Sequence, residues 1–214
     1  MSFFYRTVCA FLRVYFRLFY RLTVYGADHI QHGKAIVSPN HISFLDPPLI
    51  GAAWPEEVHF LARASLFRHY KLWTWVLSNL HAHPIQGNAQ DIDSFRVICR
   101  LLDKGKKVVI FPEGERSPSG ELQVIKSGVA VFALRTNSPI IPVYIQGTFE
   151  AWPRHRWLPK YGTVISCVIG KPIFPSKVVG DNKRETQELL TQQVQMSLQH
   201  LKNWLENGAQ GEIP

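Results

Sequence analysis

The sequence predicts an α/β fold in which a single mixed β-sheet is flanked by helices and preceded by an amphipathic N-terminal helix. Short apolar runs of strand length alternate with longer amphipathic segments from about residue 22 onward, a pattern typical of a sheet covered by helices. The length of 214 residues suits one domain with a short appendage. A hydrophobic content of 46% with 14 Gly and 14 Pro excludes a largely disordered or a fibrous protein.

The first 22 residues, the predicted N-terminal helix, contain no acidic residue, and arginine recurs every few residues among aromatic side chains. Neither a signal peptide nor a transmembrane helix fits, because each needs an uninterrupted apolar run. Helical geometry places the four arginines in one sector of about 80°; they are Arg6, Arg13, Arg17 and Arg21. We predict a helix in the interface of an anionic phospholipid membrane, with the arginines toward the phosphates. The alternative is a terminal helix packed on the domain with solvated arginines.

The strands are predicted from short apolar runs bounded by polar residues, Gly or Pro. They are Leu22–Tyr25, Ala35–Ser38, Val58–Ala62, His83–Ile85, Lys107–Phe111, Ile140–Ile145 and Val164–Ile169. Apolar residues at helical spacing predict the helices, which are Pro48–Ala53, Ser65–Leu80, Asp91–Asp103, Ser127–Thr136 and Asn182–Glu206. The predicted organisation is an interface helix over residues 1–22, an α/β domain over 23–206 and a frayed tail over 207–214.

The charge and the cysteines limit the partners and the compartment. The 24 Lys+Arg against 16 Asp+Glu give a net charge of +8, which favours an anionic partner: a nucleic acid, a membrane surface or a phosphorylated substrate. Cys9, Cys99 and Cys167 are odd in number and form no CxxC pair, which predicts a reducing compartment. The histidines show no metal-ligand spacing such as H-E-x-x-H, so we predict no metal and no cofactor.

The first candidate catalytic motif is Asn40-His41-Ile42-Ser43-Phe44-Leu45-Asp46, which follows a short apolar run of strand length. A turn between His41 and Asp46 can bring the carboxylate to one ring nitrogen, leaving the other nitrogen free to take a proton. The hydroxyl of a bound acceptor could then act as the nucleophile. The alternative is a helix-capping Asp46 beside an unrelated histidine.

The second motif is Phe111-Pro112-Glu113-Gly114-Glu115-Arg116-Ser117, which follows the apolar run Val108–Ile110. Loops at the carboxyl ends of strands are where α/β sheets place ligands, and Arg116 suits bidentate recognition of a phosphate. Lys126, just before a predicted helix, could add a second positive charge. A solvated turn in which Glu113 pairs with Arg116 is the alternative.

Together these motifs resemble the glycerolipid acyltransferase family over roughly residues 20–175. The resemblance lies in Asn40-His41-x4-Asp46, the Phe111–Ser117 motif and Ile141-Pro142-Val143, in that order. Further similar stretches are Phe60-Leu61-Ala62-Arg63, Lys126-Ser127-Gly128, Gly147-Thr148 and Gly170-Lys171-Pro172-Ile173.

The resemblance implies an enzyme in which His41 is the general base and Asp46 orients it. The acceptor hydroxyl, that of 1-acylglycerol 3-phosphate, attacks the thioester of acyl-CoA or acyl carrier protein and gives phosphatidic acid. The resemblance further implies acceptor binding by Glu113, Gly114 and Arg116, with Arg116 on the phosphate. It associates Pro142 with the acyl donor or the shape of the pocket. Arg63 and Lys126 complete the predicted substrate-binding residues.

Two positions depart from the family pattern. Gly87 stands where a basic residue is expected, so one phosphate ligand is either missing or supplied by Arg63, His81 or His83. Glu115 stands where the family often has Thr and adds an anionic group beside the phosphate site. Glycerol 3-phosphate or another lysophospholipid is therefore the alternative acceptor.

Other functional classes fit less well. The motifs of nucleic-acid-binding proteins are absent from this sequence, and much of its positive charge lies in the apolar N-terminal helix. A hydrolase with a G-x-S-x-G elbow is excluded because that motif is absent. The pairing of His41 with Asp46 argues against a non-catalytic membrane module. We therefore predict a peripheral, monotopic membrane enzyme on the cytoplasmic face of the cell membrane.

Overall fold

The computed structural model describes residues 2–68, 70–85 and 92–214. Within these residues seven strands form one sheet in the order β1-β7-β6-β2-β5-β3-β4. The strands are β1 (Thr23–Tyr25), β2 (Ala35–Pro39), β3 (Val58–Arg63), β4 (Ala82–Ile85), β5 (Lys107–Val109), β6 (Ile140–Gln146) and β7 (Ser166–Ile169). Strands β2 to β6 run parallel, whereas β7 is antiparallel to β6 and parallel to β1. The predicted single mixed sheet is confirmed.

The helices are α1 (Phe3–Tyr20), α2 (Asp46–Ala53), α3 (Lys71–Asn79), α4 (Ile92–Asp103), α5 (Gly128–Thr136), α6 (Thr148–Ala151) and α7 (Lys183–Glu206). Two differ from the sequence prediction. The predicted helix Ser65–Leu80 is divided into a 3-10 turn, Ala64–Phe67, and α3. The short α6 is not predicted, because one helical turn carries no periodic signal.

The sheet has an apolar core on each face. On one face α1 and α2 pack against Val37, and on the other α4, α5 and α7 pack against Ile36. Adjacent residues of β2 serve opposite faces because side chains alternate along a strand. This explains why the central strands read as continuous apolar runs.

Helix α1 is partly integrated into this core. Tyr5, Cys9, Phe16 and Tyr20 are buried, whereas large apolar residues on other positions of the helix remain exposed: Phe3, Phe11, Val14, Leu18 and Phe19. None of the helices within the described residues combines the length and apolar character that a membrane span requires.

The position of Arg13 corrects its predicted role at the membrane. Its Nε donates to the carbonyl of Ala52 at 2.9 Å and its Nη2 to that of Trp54 at 3.4 Å. Both carbonyls lie at the carboxyl end of α2, where helix carbonyls lack partners and attract cations. Arg13 therefore ties α1 to α2, whereas Arg6, Arg17 and Arg21 are exposed.

The tail over residues 207–214 differs from the frayed segment that the sequence predicts. The backbone N–H of Lys171 donates to the carbonyl of Pro214 at 3.1 Å, and its side chain pairs with Glu212 at 2.8 Å. Ile213 packs beside the buried Tyr144 cluster. An apolar residue near the end of the chain thus finds a place on the domain.

Candidate active site

The predicted catalytic motifs meet at one edge of the sheet. Strand β2 leads into His41, β5 into Glu113 and β6 into Thr148. Because these strands are parallel neighbours, their carboxyl ends lie together, which is where α/β sheets form their sites. The side chain of Asn40 helps to hold this edge by bonding to both the N–H and the carbonyl of Ile145, at 2.7 and 3.0 Å.

His41 and Asp46 form a hydrogen-bonded pair. The ring Nδ1 lies 2.8 Å from Asp46 Oδ2, which also accepts the backbone N–H groups of Ile42 and Ser43 at 2.7 Å each. The Asp46 side chain is fully buried, and that of His41 is 16% exposed. A carboxylate only accepts hydrogen bonds, so Nδ1 carries the proton and Nε2 is the nitrogen left for chemistry.

Thr148 is a member of this site that the sequence analysis did not assign. Its hydroxyl donates to Asp46 Oδ1 at 2.7 Å, although the two residues are 102 positions apart in the sequence. Gly147 before it has φ of 87°, and a Cβ there would lie 2.0 Å from the carbonyl oxygen of Val164. Only glycine fits that position, and the turn it permits brings Thr148 to Asp46.

The second motif holds the backbone of His41. The carboxyl Oε1 of Glu113 accepts the N–H of His41 at 3.1 Å, and the His41 carbonyl accepts the N–H of Ser117 at 2.8 Å. The ring of Phe111 stacks on the imidazole with centroids 3.9 Å apart. These contacts restrict both the backbone and the ring of His41, as a positioned general base requires.

Glu113 is placed differently from the substrate-binding role that the resemblance implies. Its carboxyl group is buried, and Gln123 donates to the second oxygen at 3.2 Å. Burial, together with a smaller contribution from the negative charge of Asp46, raises the pKa of Glu113 to about 7. Both oxygens are thus engaged behind His41, and the structure favours a supporting role for Glu113.

Arg116 has the environment expected of a side chain that binds an anion. Its guanidinium stacks on the ring of Phe44 with Cζ 3.6 Å from the centroid, and its Nη1 is buried without a hydrogen-bond partner. Burial, together with the positive charges of Arg154 and Arg63, lowers the pKa of Arg116. A phosphate bound among these guanidinium groups would relieve their repulsion and satisfy the buried nitrogen.

Arg154 is therefore a further candidate for phosphate binding, which sequence reasoning did not select. It lies in a basic and aromatic loop, Trp152–Trp157, which as a sequence is equally compatible with an ordinary exposed segment. The folded chain brings its charge to Arg116, which no local pattern indicates.

Gly114 and Lys126 lie together in the acceptor loop. Gly114 has φ of 80°, and a Cβ on it would lie 2.8 Å from Nζ of Lys126. The N–H of Lys126 donates to the carbonyl of Pro112 at 2.8 Å, so the two halves of the predicted acceptor site are joined.

Pro142 and His83 lie within strands β6 and β4. Pro142 is buried inside β6, where its carbonyl accepts the N–H of Gly170 at 2.9 Å. This position supports packing, which is the pocket-shaping alternative of the prediction, over direct contact with the acyl donor. His83 bonds to His59 at 3.0 Å, and burial lowers the pKa of both rings, which disfavours the charged form that would bind phosphate.

Gly87 lies outside the described residues. In the part of the chain that is described, no group of three or more His, Cys, Asp and Glu could hold a metal ion.

A sequence model of the acyltransferase family matches residues 21–146, which include both motifs. The chain belongs to the acyltransferase family. Family membership thus accounts for the co-occurrence of the His41 and Arg116 motifs at one sheet edge.

Similar proteins carry a common name. A chloroplastic 1-acyl-sn-glycerol-3-phosphate acyltransferase of Brassica napus is 27% identical over 164 residues, covering 74% of this chain and 47% of that protein. A Bacillus subtilis 1-acyl-sn-glycerol-3-phosphate acyltransferase is 23% identical, covering 86% of this chain and 89% of that protein. The chain spans about half the length of the plant relatives it matches.

The fold is shared with a solved structure. The crystal structure of the 1-acyl-sn-glycerophosphate acyltransferase from Thermotoga maritima matches with a TM-score of 0.75 at 24% identity, covering 92% of this chain and 79% of that chain. The mixed sheet of this acyltransferase-family chain is therefore that of the solved relative.

Thr148→Val is expected to lower kcat about tenfold with little change in the KM of the acceptor. The substitution removes the hydroxyl and leaves the buried Oδ1 of Asp46 without a donor, which costs about 1–3 kcal/mol and loosens the carboxylate that orients His41. Steady-state kinetics of the variant measure the effect. Thr148→Ser, which retains the hydroxyl, should recover most of kcat. Wild-type turnover in Thr148→Val would contradict a positioning role.

Proposed function

We propose that this protein transfers a fatty acyl chain from acyl-CoA or acyl carrier protein to the free hydroxyl of 1-acylglycerol 3-phosphate, forming phosphatidic acid. The observation that carries the proposal is the pairing of His41 and Asp46 at 2.8 Å beside an arginine with an unpartnered buried nitrogen. The names of the relatives agree with it.

In the proposed reaction Nε2 of His41 removes the proton of the acceptor hydroxyl as its oxygen attacks the thioester carbonyl. The new C–O bond gives a tetrahedral intermediate, which collapses with cleavage of the C–S bond. The imidazolium, stabilised by Asp46, then returns the proton to the departing thiolate. In this mechanism the acceptor oxygen is the nucleophile, so no residue of the protein is acylated.

The phosphate of the acceptor is proposed to bind Arg116, with Arg63 and Arg154 adding positive charge. A guanidinium already stacked on Phe44 loses little side-chain entropy when it binds a ligand. Binding of the phosphate there would fix the glycerol hydroxyl relative to His41.

Membrane association is the further part of the proposal, since both substrates carry long acyl chains. Helix α1 offers the exposed arginines Arg6, Arg17 and Arg21 beside the exposed Phe11 and Leu18. This combination suits a peripheral protein on an anionic membrane. We place the protein on the cytoplasmic face because of its three free thiols, Cys9, Cys99 and Cys167.

The experiment is a thiol-release assay with palmitoyl-CoA and four conditions: no acceptor, lysophosphatidate, glycerol 3-phosphate and lysophosphatidylcholine. We expect release that depends on lysophosphatidate. Release without an acceptor would indicate a thioesterase, and release with glycerol 3-phosphate alone would reassign the acceptor. Acyl carrier protein loaded with palmitate is tested in parallel as the donor.

Arg116→Ala is expected to raise the KM for lysophosphatidate by about tenfold or more, the value of one charge-assisted phosphate contact of about 1.5–3 kcal/mol. The KM for palmitoyl-CoA should change much less. The control is Arg96→Ala, which removes an exposed arginine of α4. An unchanged acceptor KM in Arg116→Ala would move the phosphate to another site.

A further inference from the structure

The surface of α3 and of the 3-10 turn before it is unusually apolar. Leu72 is 75% exposed, and four other large side chains of this segment are at least about half exposed: Leu66, Tyr70, Trp73 and Trp75. None of the nine residues of α3, all of which the structure describes, is buried. Soluble surfaces rarely expose so contiguous an apolar patch without a partner.

The charge of this segment indicates the partner. Between Glu57 and Asp91 the sequence has no acidic residue, whereas Arg63, Arg68 and Lys71 are basic and exposed. Exposed tryptophan and tyrosine beside arginine and lysine is the composition of elements that lie at the interface of an anionic bilayer.

The segment is joined to α1, which has the same composition. The rings of Phe4 on α1 and Trp75 on α3 meet edge to face with centroids 5.0 Å apart. The exposed apolar residues of the two helices thus belong to neighbouring elements, and the charged residues of both are all basic.

The segment also begins at the proposed phosphate site. Strand β3 ends at Arg63, whose charge acts on Arg116, and the apolar turn starts at the next residue, Ala64. A membrane in contact with this turn would lie beside the guanidinium groups.

We propose that α3 and the turn Ala64–Phe67 form a second membrane-binding element, which with α1 docks the protein on an anionic bilayer beside Arg63 and Arg116. In this arrangement the lysolipid acceptor reaches the phosphate site from the plane of the membrane. The assignment of the acceptor rests on the proposed function, whereas docking of α3 on lipid does not.

The test is flotation of the full chain with vesicles of phosphatidylcholine alone or of phosphatidylcholine and phosphatidylglycerol in equal parts. Leu72→Asp and Trp73→Asp should each weaken binding to the mixed vesicles by about tenfold or more, since each removes a large apolar side chain from the interface. Met196→Asp, at an exposed apolar position of α7, should bind as the wild type. Circular dichroism and thermal midpoints verify that the variants fold.

Charge reversal tests the lipid class. Lys71→Glu should weaken binding to mixed vesicles at least fivefold, because loss of the lysine alone costs about 1 kcal/mol at an anionic surface and the new carboxylate is repelled, whereas Lys183→Glu on α7 should not. Wild-type vesicle binding in both aspartate variants would overturn the proposal. Dimerisation that these variants abolish, with lipid binding unchanged, would also overturn it by assigning the surface to a second copy.

The same variants separate this proposal from the proposed function. With a short-chain lysophosphatidate that is soluble without vesicles, Leu72→Asp should retain wild-type thiol release. If the wild type releases no thiol with any acceptor but its vesicle binding still depends on α3, the proposed activity is refuted and the proposed docking surface is supported.

Discussion

His41→Ala is expected to lower kcat by about a thousandfold, the usual contribution of a positioned general base, while vesicle binding stays unchanged. The ring is held by Asp46 on one nitrogen and by Phe111 on its face, so the folded site presents the other nitrogen to the acceptor. No second base replaces it among the groups placed at this site, since the carboxyl groups of Asp46 and Glu113 are engaged behind the ring.

The measurement is thiol release with saturating lysophosphatidate and palmitoyl-CoA. His200→Ala removes an exposed histidine of α7 and serves as the matched control. Loss of the stacking on Phe111 should lower stability by only about 1 kcal/mol, so a thermal melt distinguishes lost chemistry from lost folding. Turnover within a few fold of the wild type would refute the proposed mechanism.

Asp46→Asn is expected to lower kcat by about a hundredfold or more, though less than His41→Ala. The amide keeps the shape of the side chain but removes the negative charge that stabilises the imidazolium. An asparagine oxygen can still accept the N–H groups of Ile42 and Ser43, and its amide can donate to the hydroxyl of Thr148, so the variant should fold.

The comparison of kcat and KM separates orientation from binding. Because Asp46 touches His41 and no proposed substrate ligand, the KM for lysophosphatidate should change little in Asp46→Asn. Asp28→Asn, at an exposed turn, is the control. A raised KM with unchanged kcat would indicate that Asp46 shapes the acceptor site and does not act through the base.

Much of the architecture was predictable because it depends on local patterns. The seven strands are short apolar runs, and their side chains alternate between two cores, so composition over a few residues suffices to locate them. The pairing of His41 with Asp46 spans five positions and needs only a turn. The Phe111–Ser117 loop follows its strand directly, which places Arg116 at the carboxyl edge of the sheet.

The amino-acid sequence was therefore sufficient to predict the fold class, the strands and the pairing of His41 with Asp46. The folded chain was needed to show which distant groups support these elements: Thr148 on Asp46, Glu113 on the backbone of His41 and Arg154 beside Arg116. It also decided that Arg13 ties α1 to α2 and that Pro142 packs inside the sheet. The physical reason is that local propensity and periodicity act over a few residues, whereas strand order and loop closure bring together side chains that are far apart in the chain.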